Sequence, residues 1–354
     1  MAAATAPSLH VAGELTNELY SDVTARDLEW TLASGSATET QTFYMCTDSG
    51  HFCFVQMLHS NIGWYPTIQF SARFFGDGIN AFKLGNMSNF KLSSDRRSAT
   101  TDGMKIELNP ECTKYTVSLV HTNELLISFE FERVDRGFKI GEGKTFFGSD
   151  KSTGFVEHKF WPKGKVSGNV FINGKHFDLN GVGLFVHALQ GMRPHLIATR
   201  WNFVDFHSDE IALSMLEFET TPAYGSVKVN QGSLVVNDKL VGVSVKNAVE
   251  FLETELDEET GYRIPREISY TWNGKALESE EAFKVNLKIR PQTLMDKIDV
   301  LNEIPYVIKK LVQAMVAKPY IYQWYNEATA EVIIGDKPPI IVTGKLFNEA
   351  TFIY

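Results

Sequence analysis

From Leu28 onward the chain is a succession of short runs rich in β-branched and aromatic residues, cut at near-regular intervals by turn residues. Runs at 42–46, 52–59, 67–75, 82–84, 104–108, 115–121 and 125–131 are separated by Asp-Ser-Gly, Phe-Gly-Asp-Gly and Asn-Pro-Glu. Short strands at this spacing specify an all-β barrel or sandwich. The pattern pauses over a Gly- and Lys-rich passage at 135–165, then restarts with runs at 168–172, 177–179, 211–218, 226–229, 233–236, 244–245, 268–272 and 282–289. A length of 354 residues suits two domains. The expected organisation is a poorly ordered arm at 1–26, an N-terminal barrel at 27–163 and a C-terminal barrel at 164–354. Identity between the halves is too weak to prove a duplication.

One segment departs from this pattern. Leu294, Ile298, Leu301, Ile304, Ile308, Leu311 and Met315 recur at three- and four-residue intervals, which predicts an amphipathic helical segment near 292–316. Pro305 divides or kinks it by removing a backbone donor. Packing against a barrel wall is its ordinary role, and Lys297, Lys309, Lys310 and Lys318 leave a membrane-surface role open.

Composition removes several function classes. A net charge of −9 with no basic cluster argues against nucleic acid, whose binding rests on neutralising phosphates. The three cysteines, Cys46, Cys53 and Cys112, lack metal or disulfide spacing and suit a reducing, cytoplasmic setting. The opening MAAATAPSLH has neither a basic start nor an apolar run, so no signal peptide is expected. Gly141-Glu-Gly-Lys-Thr145 resembles the end of a phosphate loop, but Phe138 stands where its first glycine belongs. No hydrolase, metalloprotease or dinucleotide motif occurs, and no cofactor or metal is called for.

The most polar apolar-flanked stretch is VGLFVHALQGMRPHLIATRWNF at 182–203. Two strand-like runs, 182–189 and 196–206, flank a hinge carrying His187, Gln190, Arg193, His195, Arg200 and Asn202. That is many hydrogen-bonding groups for core strands. They form either a buried network that specifies packing or part of a pocket with convergent polar groups.

HALQGMRPH, the following ATRWNF and LEFETTPAYGS resemble the fungal survival-factor family, as do FCFVQMLHSN, EHKFWPKGKVSG, KPYIYQW and GKLFNEATFIY. The resemblance runs over about 42–354 and implies two lipocalin-like domains that enclose an apolar small molecule. It implies two kinds of function. One is a ceramide carrier linked to oxidative-stress survival. The other is a natural-product pericyclase, a hetero-Diels–Alderase acting by positioning and by hydrogen bonds to a carbonyl that gains charge. Carriers of this family begin with a membrane-contacting amphipathic helix, for which the first 26 residues offer no match; no stable membrane attachment is therefore expected, and the cycloaddition is the preferred reading. Its expected catalytic donors are Arg200, His187, Gln190, His195 and Tyr65. Trp64, Trp161, His158, Trp201, Asn202, Tyr322 and Trp324 are expected to line the substrate. A homodimer is compatible with this reading.

Overall fold

The computed structural model describes residues 9–14, 18–61, 65–300 and 318–353. Among these almost every regular element is a strand. The alternation that predicts strands is visible in the run 125–133, where Leu125, Ile127, Phe129 and Phe131 are buried while Leu126, Ser128, Glu130 and Glu132 face outward. A period of two places one face of each strand on a core.

The chain divides into two compact units, Ser21–Lys139 with Glu157–Gly191, and Met192–Tyr354 with Met1–Tyr20 and Ile140–Val156. The long strands of the N-terminal unit are β1 (Thr38–Thr47), β2 (Phe52–Ser60), β3 (Thr67–Gly76), β4 (Ile79–Met87), β5 (Met104–Leu108), β6 (Lys114–His121), β7 (Leu125–Arg133), β8 (Gly154–Ile172) and β9 (Gly181–Gln190). They lie in the order β4-β3-β2-β1-β9-β8-β7-β6-β5. The C-terminal unit contains β10 (Ala198–His207), β11 (Ile211–Thr220), β12 (Lys228–Val236), β13 (Lys239–Ser244), β14 (Ala248–Leu256), β15 (Arg263–Lys275), β16 (Ala282–Ile289), β17 (Leu294–Asp299), β18 (Tyr320–Ile334) and β19 (Ile340–Phe352). Its order is β13-β12-β11-β10-β19-β18-β16-β15-β14, with β17 added to β18.

These two orders are the same. In each, four consecutive strands meander outward from the first, and the last strand closes against the first before the remainder meander back. A likeness of the halves too faint to show in residue identity is plain in topology. Each sheet curls around its own apolar core in the lipocalin-like manner.

Three expectations change. The division at 163/164 falls inside β8, which pairs with β7 through Gly164–Ile172, and the N-terminal unit runs on to Gly191. The arm is partly built into the fold: Leu9 and His10 pair with Phe147 and Phe146, and Tyr20–Asp22 is a strand. The third is the helix. Its first turn is instead strand β17, because β16 pairs with β18 only at 330–334 and leaves the edge at Tyr320–Trp324 to be filled by Leu294–Asp299. An open edge is a template for another strand, and six residues are too few for periodicity to decide. The rest of the expected helix, 301–316, lies outside the described residues.

At one end of the N-terminal barrel a 3-10 turn, Ala25–Leu28, carries a capping box between Thr24 and Asp27. The segment behind it sends Leu28 and Trp30 into the core. In the C-terminal barrel the ring of Phe283 fills the far end against Gly242 and Gly274. A Cβ at either glycine would come within 2.3 or 2.7 Å of that ring, so only glycine lets it lie there.

Candidate functional site

The inner face of the C-terminal barrel changes character along its length. Val204 and Phe206 on β10, Leu346 on β19 and Ala328, Ala330 and Val332 on β18 belong to the packed core. Toward the other end, Tyr320, Tyr322 and Trp324 of β18 and Ala350 and Phe352 of β19 form a separate aromatic cluster, joined by Phe251, Tyr262 and Ile264. Register explains the wall, since Tyr322 pairs with Ala350 and Trp324 with Asn348. Side chains on alternate residues therefore share one face. Tyr322 and Trp324 stack at 6.0 Å, and Tyr262 stacks on Phe352 at 5.0 Å.

Between core and wall lies a polar layer. Glu217, buried and with no ion pair among the described residues, accepts hydrogen bonds from Asn202 Nδ2 and Asn230 Nδ2 at 3.2 Å and from the Val249 amide at 3.3 Å. Asn247 Nδ2 in turn donates to Asn230 Oδ1 at 2.7 Å. Asn348 is 0% exposed and faces the buried Tyr270 phenol, while Asn202 Oδ1 has no hydrogen-bond partner among the described residues. Burial pushes the Tyr270 phenol up, an effect partly offset by the Asn348 amide it faces. Asn202 pairs with Ala350 and Val204 with Asn348, so the two buried amides are diagonal neighbours on adjacent strands. Buried polar groups ordinarily have partners, and an exception is a place for a buried water or a ligand.

The wall is latched from behind. Tyr322 donates to Asp257 Oδ2 at 2.7 Å and lies 2.7 Å from Thr260 Oγ1, and Lys297 Nζ lies 3.0 Å from the same carboxylate. Burial alone would raise the Asp257 carboxyl; the bonds from Tyr322 and Lys297 outweigh it and bring the pKa down to about 2. Burial first, then the Asp257 carboxylate, push the Tyr322 phenol up, while Thr260 counters. Arg200, part exposed, lies 3.6 Å from Glu219 with its guanidinium 5.0 Å over Phe251.

Of the residues singled out in the sequence, Arg200, Asn202, Tyr322 and Trp324 thus share this inner face. Trp201 faces the other way and packs on Phe218 at 4.6 Å. His195 sits in the short helix Pro194–Ile197, its pKa lowered by burial and then by Arg193. The others belong to the N-terminal unit. His187 is buried with both ring nitrogens engaged, Nε2 2.8 Å from Glu39 Oε1 and Nδ1 3.2 Å from the Asp27 carbonyl. Gln190 ends β9 opposite Thr38. Trp161 is packed among Tyr115 and Phe185 at 5.0 and 5.2 Å. Burial lowers the His158 pKa to about 3, so it is a neutral core ring stacked at 6.1 Å on Phe160. Tyr65 is 82% exposed and plugs nothing; Trp64 lies outside the described residues.

Sequence reasoning missed Asn348, Glu217, Asn230 and Asp257. A signal existed for one of them: the inner positions of β19, Leu346, Asn348, Ala350 and Phe352, read as an apolar alternation interrupted by one amide.

Two curled barrels of matching topology, one of them carrying an aromatic wall beside buried amides, define an all-β protein of lipocalin-like architecture. The chain belongs to the Svf1 family, whose model matches residues 3–354. It is 33% identical over 346 residues to the ceramide-binding protein svf1 of Emericella nidulans, covering 94% of this chain and 90% of that protein. It is 34% identical over 339 residues to the ceramide-binding protein svf1 of Schizosaccharomyces pombe, covering 93% and 89%. Among solved structures, CghA with Sch210972 superposes with a TM-score of 0.60 at 11% identity over 99% of each chain, a likeness of fold alone. No helix among the described residues is long and apolar enough to cross a membrane.

Proposed function

We propose that this protein binds a neutral, amide-bearing lipid of the ceramide class in its C-terminal barrel. The observation that carries the reading is a pair of buried amides, Asn348, which faces the Tyr270 phenol, and Asn202, whose Oδ1 has no partner among the described residues, set between a packed core and an aromatic wall. A carboxamide presents two donors and an acceptor, which complements the amide and hydroxyls of a ceramide head. The wall of Tyr320, Tyr322, Trp324 and Phe352 supplies apolar area for the chains. The names of the relatives support the same class of ligand.

The cycloaddition preferred from sequence draws on the same enclosure but loses its leading donors. Arg200 is turned to Glu219 and Phe251, and His187 is tied at both nitrogens. The carrier reading therefore stands first. Titration with a fluorescent short-chain ceramide tests it. Asn348→Leu removes one amide of the pair, and binding should weaken roughly 10-fold, the effect of one lost hydrogen bond of about 1.4 kcal/mol. A variant that folds and binds like the parent would sink the assignment.

A further inference from the structure

The N-terminal barrel carries open polar groups of its own. Gln41 is 0% exposed and neither atom of its amide has a partner among the described residues; Trp30 Nε1 and the Tyr115 hydroxyl are equally buried and equally open. The three face one interior. Gln41 lies on the inner face of β1 opposite His187 and Met57. Phe43, two residues along, meets Tyr115 at 5.3 Å, Tyr115 meets Phe185 at 4.8 Å, and Trp30 lies 5.9 Å from the His187 ring.

The internal repeat shows why Gln41 is open. Counting inward from the first hairpin of each unit, the inner-face pairs are Met45–Cys53, Phe43–Val55 and Gln41–Met57 in one. They are Phe206–Leu213, Val204–Met215 and Asn202–Glu217 in the other. Gln41 and Asn202 occupy equivalent places. Asn202 has Glu217 to receive its N–H, whereas Met57 stands there beside Gln41 and offers no carboxylate.

We infer that the N-terminal barrel is a second, separate binding site, for an uncharged apolar molecule bearing a carbonyl group. The open set is rich in donors: the Gln41 NH2, the Trp30 indole N–H and the Tyr115 O–H, against the Gln41 oxygen and the phenol oxygen as acceptors. A carbonyl is what such a set receives. The guest is uncharged because an ion would have to shed its water in this interior, and the ionisable pair nearby, Glu39 with His187, is already closed on itself. Phe43, Phe185 and Tyr115 provide an aromatic surround. This inference is independent of the ceramide reading, which rests on the other barrel.

Prodan, a neutral naphthyl ketone whose emission reports hydrogen bonds to its carbonyl, is the probe, titrated into the full chain. The parent should bind it saturably. Gln41→Leu and Tyr115→Phe should each weaken binding roughly 10-fold and shift the bound emission to the blue. Tyr115→Phe removes a single oxygen and carries the test if Gln41→Leu does not fold. No saturable binding, or unchanged affinity and emission in Tyr115→Phe and in a folded Gln41→Leu, overturns the inference and leaves these groups to buried water. Loss of prodan binding in Asn348→Leu alone would move the ketone to the C-terminal barrel and overturn it equally, without touching the ceramide result.

Discussion

Replacing His187 by alanine should loosen the segment that sends Leu28 and Trp30 into the N-terminal core. The imidazole and the Glu39 carboxylate are each about 1% exposed and 2.8 Å apart. Glu39 also accepts the amides of Thr31 at 2.9 Å and Leu32 at 2.7 Å, while His187 Nδ1 meets the Asp27 carbonyl. One side chain pair therefore fastens the whole Asp27–Leu32 segment to β1 and β9. Both partners of the ring are acceptors, so it satisfies both only when each nitrogen carries a hydrogen. Removing it strands a buried carboxylate, a change that costs roughly 3–5 kcal/mol. For a unit of this size that lowers the melting temperature by about 6–20 °C. Differential scanning calorimetry of the full chain measures it.

The pH dependence makes the reasoning sharper. Burial works to raise the Glu39 carboxyl, but the His187 bond and charge and the Thr31 and Leu32 amides outweigh it and hold the pKa below the ordinary 4.5. A group lowered in the folded state contributes stability that is present above 4.5 and lost as the pH falls through the folded value. Glu39→Gln should lack that acid-dependent component. If His187→Ala melts within a degree of the parent, or if Glu39→Gln and the parent share one pH profile below 4.5, the pair does not fasten the segment.

Other outcomes follow from single contacts. His158 is held near pKa 3 by burial against an ordinary 6.5, so it contributes stability that is lost as the pH falls from about 6.5 toward 3; His158→Phe should flatten urea midpoints over that window, by up to about 1.4 kcal/mol per pH unit. Asn348→Leu should lower the unfolding temperature by only a few degrees, the Tyr270 phenol losing one hydrogen-bonding neighbour of about 0.5–1.5 kcal/mol, while its ceramide titration weakens. At Gly164, where a Cβ would lie 2.2 Å from the Phe131 ring, alanine should cost about 1–3 kcal/mol by overpacking, read from the denaturant midpoint.

Alternation in the chain was enough to read the strands, because stretches such as Leu125–Arg133 bury every second residue. The same rule concealed the site. Asn348 and Glu217 lie on inner faces as ordinary alternation demands, and nothing local distinguishes an amide with a partner from one without. Openness depends on the neighbouring strand, as Gln41 beside Met57 and Asn202 beside Glu217 demonstrate. The hinge histidines drew attention for their density, yet His187 turned out to be bonded twice over. Strand β17 was read as helix because its reason for being a strand is the vacant edge of β18, some twenty residues further along. Arg200, Asn202, Tyr322 and Trp324 were each singled out in the sequence, but that they share one inner face follows only from the pairing of β10, β19 and β18.

In both units the opening strand and the closing strand lie side by side, with Thr38 beside Gln190 and Arg200 beside Phe352. Each curled sheet thus opens and closes at one spot, although the C-terminal unit also draws in Met1–Tyr20 and Ile140–Val156. A shared path with different side chains at equivalent places gives the two interiors different chemistry, the Glu217 carboxylate standing where the other barrel holds Met57.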